Sequence, residues 1–255
     1  MKAIILAAGR GSRMKEGTTS IPKCLMMLGG ITLLERCIES LKKAGFKLSD
    51  IGIVTGYKCE KIKVKDVYYF HNANWQTTNM FVSLTMAEKW LLQEPCIVCY
   101  SDIVFSPNAV KKLMESKSEF AITYYTEFWD LWQKRFENPF NDLESFKLHE
   151  GKLLEIGKKA TSRDSIHGQY MGLLRFEPSG WRKVKQAIKL PIQKSISKLD
   201  MTTLLQHLIT IGHDVEAIEE EELWLECDNL DDIRLYEYEA NAAVGAAFSR
   251  PRFNP

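Results

Sequence analysis

Short apolar runs alternate with longer amphipathic segments along most of the chain. Such runs predict buried strands, and apolar residues that recur every three to four positions predict helices. The predicted strands are residues 2–8, 51–55, 64–70, 95–101, 120–125, 173–176 and 215–218. The predicted helices are residues 31–43, 80–92, 108–116, 177–190, 201–211 and 231–248. Strands that alternate with helices are typical of a parallel sheet with helices on both faces.

The alternation changes near residue 124, where aromatic side chains and carboxylates crowd together and a β-hairpin is predicted around Glu150-Gly151. We interpret residues 124–176 as a small β-rich and aromatic insertion rather than a separate domain. No internal repeat or low-complexity linker divides the chain. The pattern therefore predicts an α/β protein with a single Rossmann-like domain over residues 1–255, in which helices flank a mixed, mostly parallel central sheet.

Composition and charge narrow the choice of partners. Apolar residues make up 45% of the chain, charged residues make up 26%, and the formal net charge is +1. These values are typical of a globular protein. A net charge this small produces no strong electrostatic attraction to nucleic acid or to an anionic membrane surface, so we expect neither as a partner. The apolar start is short and runs into Arg10 and Arg13, which argues against a signal peptide.

The six cysteines are scattered in apolar contexts. This distribution is typical of buried, reduced thiols and favours a cytoplasmic location. Cys96 and Cys99 have the spacing of a metal or redox pair. Because both fall within one predicted strand, whose alternation sends them to opposite faces, we expect them to serve in packing.

The first predicted strand runs directly into Gly9, Gly11 and Arg13, and Lys23 follows a short distance later. Open α/β sheets bind ligands at the carboxyl ends of their strands. The glycines let an anion approach the backbone, and the two basic side chains supply positive charge. The combination predicts a triphosphate site. A dinucleotide fingerprint would need glycine in place of Met14, and a Walker loop would need Gly-Lys-Ser/Thr after the second glycine.

The motif Leu6-Ala7-Ala8-Gly9-x-Gly11-x-Arg13-Met14, followed by Pro22-Lys23, resembles the signature of nucleotidyltransferases that activate sugar phosphates and small phosphate esters. The resemblance covers nearly the whole chain and is specific near residues 4–23, 102 and 228. It implies two catalytic residues, with Arg13 on the β- and γ-phosphates of a nucleoside triphosphate and Lys23 on its α-phosphate. The residues implied in nucleotide binding are Leu6, Ala7, Ala8, Gly9, Gly11, Ser12, Asn79 and Ser101.

The same resemblance implies a magnesium site. Asp102 follows a predicted strand and Asp228 precedes the last predicted helix, and the family binds Mg²⁺ at these places, with Glu226 a weaker candidate than Asp228. The chain has Tyr100 where the family usually has the first residue of an Asp-x-Asp pair. An aspartate after a strand is also a common cap, and Asn79 is likewise placed to cap the helix that follows it.

The insertion is interpreted as the site for an acceptor. Aromatic faces with acidic neighbours suit a cationic or amine-bearing molecule. Trp129 and Trp132 are the candidates among its aromatic residues, and Lys158 is a candidate contact for a phosphate. Gln169 and Tyr170 resemble the acceptor-contacting strand of the family.

The reaction implied by the resemblance is attack by a phosphate or phosphonate oxygen on the α-phosphorus of the nucleotide, with pyrophosphate leaving. The short chain and the insertion resemble the cytidylyltransferases for phosphocholine, aminoethylphosphonate and phosphoglutamine, some of which serve capsule decoration. We therefore expect CTP, Mg²⁺ and a small amine-bearing phosphate as ligands, in capsule or cell-surface polysaccharide biosynthesis. The alternatives are a sugar 1-phosphate with UTP, dTTP or GTP, and a catalytically silent nucleotide-binding module. The oligomeric state stays open, with a homodimer among the outcomes.

Overall fold

The computed structural model describes residues 1–242 of the chain. Its strands are β1 (Lys2–Ala7), β2 (Met27–Leu28), β3 (Ile31–Thr32), β4 (Ile51–Thr55), β5 (Tyr68–His71), β6 (Cys96–Tyr100), β7 (Ile103–Val104), β8 (Phe120–Tyr125), β9 (Glu144–His149), β10 (Lys152–Lys159), β11 (Gln169–Phe176), β12 (Glu216–Glu220) and β13 (Leu225–Glu226). Its helices are α1 (Leu33–Ala44), α2 (Met80–Thr85), α3 (Glu88–Gln93), α4 (Pro107–Glu115), α5 (Phe128–Arg135), α6 (Pro178–Ala187), α7 (Met201–Thr210) and α8 (Leu230–Ala242). The last predicted helix corresponds to α8, and its predicted end, residues 243–248, lies outside the described residues. None of the helices in this range is long and apolar enough to cross a membrane.

A nine-stranded sheet organises the described residues, in the order β5-β4-β1-β6-β11-β8-β12-β10-β9. Only β10 and β11 run against the direction of the others. The predicted mixed, mostly parallel sheet with flanking helices is therefore confirmed.

The first strand lies at the centre of the parallel part of the sheet because its residues are covered on both faces. Each residue from 3 to 8 is buried. β4 and β6 flank β1 in parallel, with Ile5 opposite Ile53 on one side and Cys99 on the other. The carboxyl ends of these strands open at one edge, which brings the loop after β1 beside the residues that follow β6.

Most predicted elements begin or end a few residues away from their predicted bounds, and three of them differ more. The strand predicted at residues 173–176 begins earlier, as β11 at Gln169. The predicted helix 80–92 is divided into α2 and α3, because the backbone N–H groups of Met86 and Ala87 bond to carbonyls only three residues back and tighten the turn. The predicted strand 64–70 begins later, as β5, because the Tyr69 hydroxyl bonds to the backbone of the preceding loop.

Residues 124–176 are continuous with the main sheet. β9 and β10 form the predicted hairpin, with positive φ at Glu150 (49°) and Gly151 (73°). The hairpin joins the sheet through β12, where Lys152 lies opposite Glu216. β11 lies between β6 and β8. The segment thus supplies three strands of the sheet, one of them central, together with α5.

The cysteines are all free thiols, and Cys59 is the only one among them that is not buried. Cys96 and Cys99 lie within β6 and are fully inaccessible. Their surroundings are those of core packing residues.

Candidate functional site

The loop after β1 has a backbone shape that only glycine adopts easily. Gly11 has a φ of +71°, and a Cβ atom there would lie 2.6 Å from the Cβ of Lys23. The Gly11 carbonyl accepts hydrogen bonds from the Met14 backbone (2.9 Å) and the Thr18 hydroxyl (3.1 Å). This glycine therefore lets the Lys23 side chain pass directly against the loop.

Lys23 is a buried cation held between two carboxylates. Its Nζ atom lies 2.6 Å from Asp102 Oδ2 and 3.1 Å from Asp228 Oδ1, and its side chain is 10% exposed. Burial by itself lowers the pKa of Lys23, but the charges of the two aspartates outweigh burial and hold that pKa above its usual value. The lysine is therefore a permanent cation in this structure.

The two aspartates are held together by the backbone although they lie far apart in the chain. β13 pairs with β7, and the Cys227 N–H donates to the Asp102 carbonyl at 2.9 Å. The Asp228 backbone N–H donates to Asp232 Oδ2 at 2.8 Å, which places Asp228 at the start of α8. The carboxylates thus converge because a short antiparallel pair brings their strand ends together.

Arg13 completes the charged centre. Its guanidinium lies 2.7 Å from Asp228 Oδ1 and 3.0 Å from Oδ2, and its side chain is 64% exposed. Burial raises the pKa of Asp228, but Lys23, Arg13 and Arg135 outweigh burial and hold that pKa below its usual value. The arginine is therefore anchored at its tip on a buried carboxylate and remains open to a ligand.

A cleft of about 280 Å³ lies above the loop, at the carboxyl ends of β1 and β6. Ala7 is absent from its lining because it lies between Leu6 and Ala8, so the alternation of the strand directs it away. The predicted residues that line this cleft are Leu6, Ala8, Gly9, Gly11, Ser12, Arg13, Lys23, Asn79, Ser101 and Asp102. The structure therefore brings nearly all of the predicted nucleotide site together.

A second cleft of about 310 Å³ adjoins the first. Besides those shared with the first cleft, the predicted residues in its lining are Trp132, Gln169, Tyr170, Asp228 and the weaker metal candidate Glu226. The residues shared by both clefts are Arg13, Asn79, Met80 and Tyr100. The side chains of the second cleft that sequence reasoning missed are Asp142, Glu144, Phe146, Asp200, Thr202 and Trp224.

Asn79 caps α2 and also lines both clefts. Its Oδ1 atom accepts a hydrogen bond from the Met80 backbone at 2.8 Å, so it caps α2. Its Nδ2 atom donates to the Lys198 carbonyl at 3.2 Å, across the border of the two clefts. The cap holds its side chain where both clefts meet.

Trp129 and Lys158 line neither cleft. Trp129 packs against Phe140 at 5.7 Å between ring centres and lies under the Arg163 guanidinium. The Lys158 side chain is 65% exposed and pairs with Glu155 at 2.6 Å. Trp129 lies three residues before Trp132 on α5, and the packing of α5 against α8, with Trp132 stacked on Trp224, directs Trp132 rather than Trp129 toward the second cleft.

Arg135 is a buried link that sequence reasoning missed. Its guanidinium is fully buried and lies 2.9 Å from Asp232, 3.3 Å from Glu226 and 3.4 Å from Asp228. Burial lowers the pKa of Arg135, but these carboxylates outweigh burial and keep that pKa above its usual value. No local signal marks this arginine, because its partners lie about 90 positions away along the chain.

The donor set at the junction of the clefts is suited to a hard divalent cation. The oxygens of Asp102 and Asp228 converge on one cationic nitrogen. Mg²⁺ is typically held by one or two carboxylates, with substrate phosphates supplying further oxygens. Within residues 1–242, no group of three or more His, Cys, Asp or Glu side chains is arranged to hold a metal by itself. The aspartate pair would therefore need phosphate oxygens to complete the coordination.

Comparisons with known proteins agree with this geometry. Residues 3–135 match a family model described as the MobA-like NTP transferase domain. A CTP:phosphoglutamine cytidylyltransferase from Campylobacter jejuni subsp. jejuni is 34% identical over 251 residues, covering 92% of this chain and 98% of that protein.

Two solved structures share the fold and support the Rossmann-like assignment. The inositol-1-phosphate CTP transferase from T. maritima has a TM-score of 0.70 at 20% identity, over 97% of this chain and 98% of its own. The CTP:phosphocholine cytidylyltransferase from Streptococcus pneumoniae has a TM-score of 0.67 at 21% identity, over 93% of this chain and 98% of its own.

Proposed function

Because the chain belongs to the MobA-like NTP transferase domain family and is a nucleotidyltransferase, we propose that it transfers CMP from CTP to a small amine-bearing phosphate or phosphonate. The acceptors we have in view are phosphocholine, aminoethylphosphonate and phosphoglutamine. The observation that carries the proposal is the pair of adjoining clefts that meet at Arg13, beside Lys23 and the two aspartates. One cleft suits a nucleoside triphosphate and the other a small acceptor.

The two clefts suit direct transfer. An oxygen of the acceptor phosphate attacks the α-phosphorus, and the bond from that phosphorus to the bridging oxygen breaks as pyrophosphate leaves. The acceptor is already anionic, so the reaction needs no protein nucleophile and catalysis consists of positioning and charge neutralisation. In the proposal, Lys23 offsets charge at the α-phosphate and Arg13 restrains the leaving pyrophosphate.

Asp102 and Asp228 would hold Mg²⁺ in the proposed reaction. The ion would supply Lewis acidity and would orient the phosphates. These carboxylates pair with Lys23 and Arg13. A triphosphate offers those two cations alternative partners and so frees carboxylate oxygens.

The choice of CTP is supported by the relative with 34% identity, which is named for CTP and phosphoglutamine. The choice of an amine-bearing acceptor is supported by the second cleft, which is rich in carboxylates. We further place the activity in the cytoplasm, since the cysteines are free thiols. We place it in capsule or cell-surface polysaccharide biosynthesis, the context expected from the family resemblance.

The proposal is tested by pyrophosphate release from CTP, UTP, dTTP, GTP and ATP, each crossed with a set of acceptors. The set holds phosphocholine, phosphoethanolamine, aminoethylphosphonate, phosphoglutamine and several sugar 1-phosphates, with Mg²⁺ or with EDTA. We expect release with CTP and an amine-bearing acceptor, and only when Mg²⁺ is present. A preference for a sugar 1-phosphate would overturn the proposed choice of acceptor. Absence of pyrophosphate release with every pair of nucleotide and acceptor would favour a catalytically silent nucleotide-binding module.

Matched aspartate variants test the metal ligands. Asp102→Asn and Asp228→Asn should each abolish the Mg²⁺-dependent reaction. Asp231→Asn is the control, because Asp231 is also on the start of α8 but its side chain is 86% exposed. Full activity in either of the first two variants would refute the assignment.

A further inference from the structure

Five aromatic side chains line the second cleft. Tyr100 and Tyr170 are half-buried and pack edge to face at 6.0 Å between ring centres, and the other three are buried and offer little open surface. Trp132 is 2% exposed, Trp224 is 1% exposed and Phe146 is 1% exposed. The two indole rings stack on each other at 5.7 Å, and the Arg135 guanidinium lies 4.7 Å from the centre of the Trp132 ring. A cation–π site needs an accessible ring face. These rings therefore build the wall of the cleft and do not form an open aromatic cage.

Carboxylates are the groups that this cleft presents to a ligand. Asp200 is already engaged, because its oxygens accept from the Thr203 backbone at 2.9 Å and from Lys194. Asp142 accepts from the Trp132 indole N–H at 3.1 Å through Oδ2, which leaves its second oxygen for a ligand. Glu144 is exposed, and no donor among residues 1–242 hydrogen-bonds to its carboxylate.

Because these carboxylates lie close together, they favour the binding of a positive charge. The Glu144 side chain keeps accessible surface, but the protein around its carboxyl group displaces part of the surrounding water. This partial burial, and after it the negative charges of Asp200 and Asp142, raises the pKa of Glu144 to about 7, while Lys194 acts in the opposite direction. Burial also raises the pKa of Asp142, and Arg135 only partly offsets it. A cation placed between Asp142 and Glu144 would relieve this repulsion.

Resting on the proposed function, we propose that the acceptor carries a primary ammonium group that donates hydrogen bonds to the carboxylates of Asp142 and Glu144. A primary ammonium has three N–H donors, whereas a trimethylammonium has none and depends on open aromatic faces. In this proposal the phosphate of the same acceptor lies toward Arg13, where the two clefts meet. The cleft therefore selects primary amines over quaternary ones.

A methylation series tests the selection at constant charge. The probes are phosphoethanolamine, its N-methyl and N,N-dimethyl forms, and phosphocholine, with CTP and Mg²⁺. Loss of charged hydrogen bonds should lower kcat/KM about tenfold to a hundredfold from the first probe to the last. Titration calorimetry with the same four probes measures their affinity for the cleft in the absence of turnover. Binding of phosphoethanolamine that is equal to or weaker than that of phosphocholine overturns the inference.

Charge-removing variants test the two residues. Asp142→Asn and Glu144→Gln should each raise the KM for phosphoethanolamine about tenfold or more, while the KM for CTP stays near its original value. Both variants should also lower the ratio of kcat/KM for phosphoethanolamine to kcat/KM for phosphocholine. Glu150→Gln is the control, because Glu150 is on the same hairpin and its side chain is 84% exposed. An unchanged KM in both cleft variants overturns the inference.

Different experimental results would refute the proposed function and the proposed ammonium site. Transfer to phosphocholine in preference to primary amines would keep the proposed function and remove the ammonium site. No pyrophosphate release with any acceptor would remove the proposed function, and the calorimetric ranking would still decide whether Asp142 and Glu144 bind a primary ammonium.

Discussion

At the scale of single residues, the centre of the site is a set of charged side chains that form ion pairs with one another. Lys23 and Arg13 share the oxygens of Asp228, and Lys23 also holds Asp102. Each of these groups is one that a nucleotide, its phosphates or a metal would otherwise engage. The cations are thereby kept in fixed positions, and positioned charge is the main resource for stabilising a phosphoryl transition state.

Replacing Lys23 tests this arrangement. In Lys23→Met, the α-phosphate loses its positioned cation, and we expect kcat to fall roughly a hundredfold or more. Lys158→Met removes a lysine that is 65% exposed and pairs only with Glu155, so its activity should stay close to the original. Steady-state kinetics on both variants, with circular dichroism as a check of folding, measures the difference. Similar activities would show that the loop does not hold the reacting phosphate.

At the scale of secondary structure elements, one buried arginine joins α5 to the region that carries Asp228. Arg135 ends α5 and contacts acidic side chains on β13 and at the start of α8. Trp132, one turn earlier on the same helix, forms part of the wall of the second cleft. The helix that forms part of the wall of the second cleft is thus fastened to Asp228, a carboxylate that also pairs with Lys23 and Arg13.

Removing this link should destabilise the fold. Arg135→Met would leave buried carboxylates without their cation, and we expect a loss of about 3–5 kcal/mol in the free energy of unfolding. Arg234→Met is the matched control on α8, because that side chain is 72% exposed and pairs with exposed Asp231, so its loss should be under about 1 kcal/mol. Urea unfolding of both variants gives the comparison. Equal stabilities would mean that Arg135 is not a structural link.

At the scale of the whole molecule, the two clefts form one continuous site. They share Arg13, Asn79, Met80 and Tyr100. In the proposed reaction, both substrates would therefore be bound before the transfer occurs. The shared border comes from the strand order, in which β11 lies directly between β6 and β8. A central antiparallel strand therefore delivers Gln169 and Tyr170 next to the ends of the parallel strands.

This continuity predicts sequential kinetics. Initial rates measured at several fixed acceptor concentrations should give intersecting double-reciprocal lines, because the reaction passes through a ternary complex. Labelled pyrophosphate should not exchange into CTP unless the acceptor is present. Parallel lines, or exchange without acceptor, would instead require a covalent CMP–enzyme intermediate and would contradict direct transfer.

The sequence by itself determined the features that depend on neighbouring residues. The apolar run of β1, the positive φ at Gly11 and the cap that Asn79 forms at α2 are all local, because they depend on side-chain periodicity and on backbone conformations that each residue allows. The predicted nucleotide cleft followed from these features, since a glycine loop at the end of a buried strand already carries its anion-binding groups.

Only the tertiary structure decided the partners that lie far apart in the chain. The contact of Lys23 with Asp228 spans 205 positions, and that of Arg135 with Asp228 spans 93. Trp132 rather than Trp129 faces the second cleft because of how α5 packs against α8 and how Trp132 stacks on Trp224, and no local pattern distinguishes the two tryptophans. Asp142 and Glu144 became candidate ligands for the same reason, since the register of distant strands brings separate segments around one cavity.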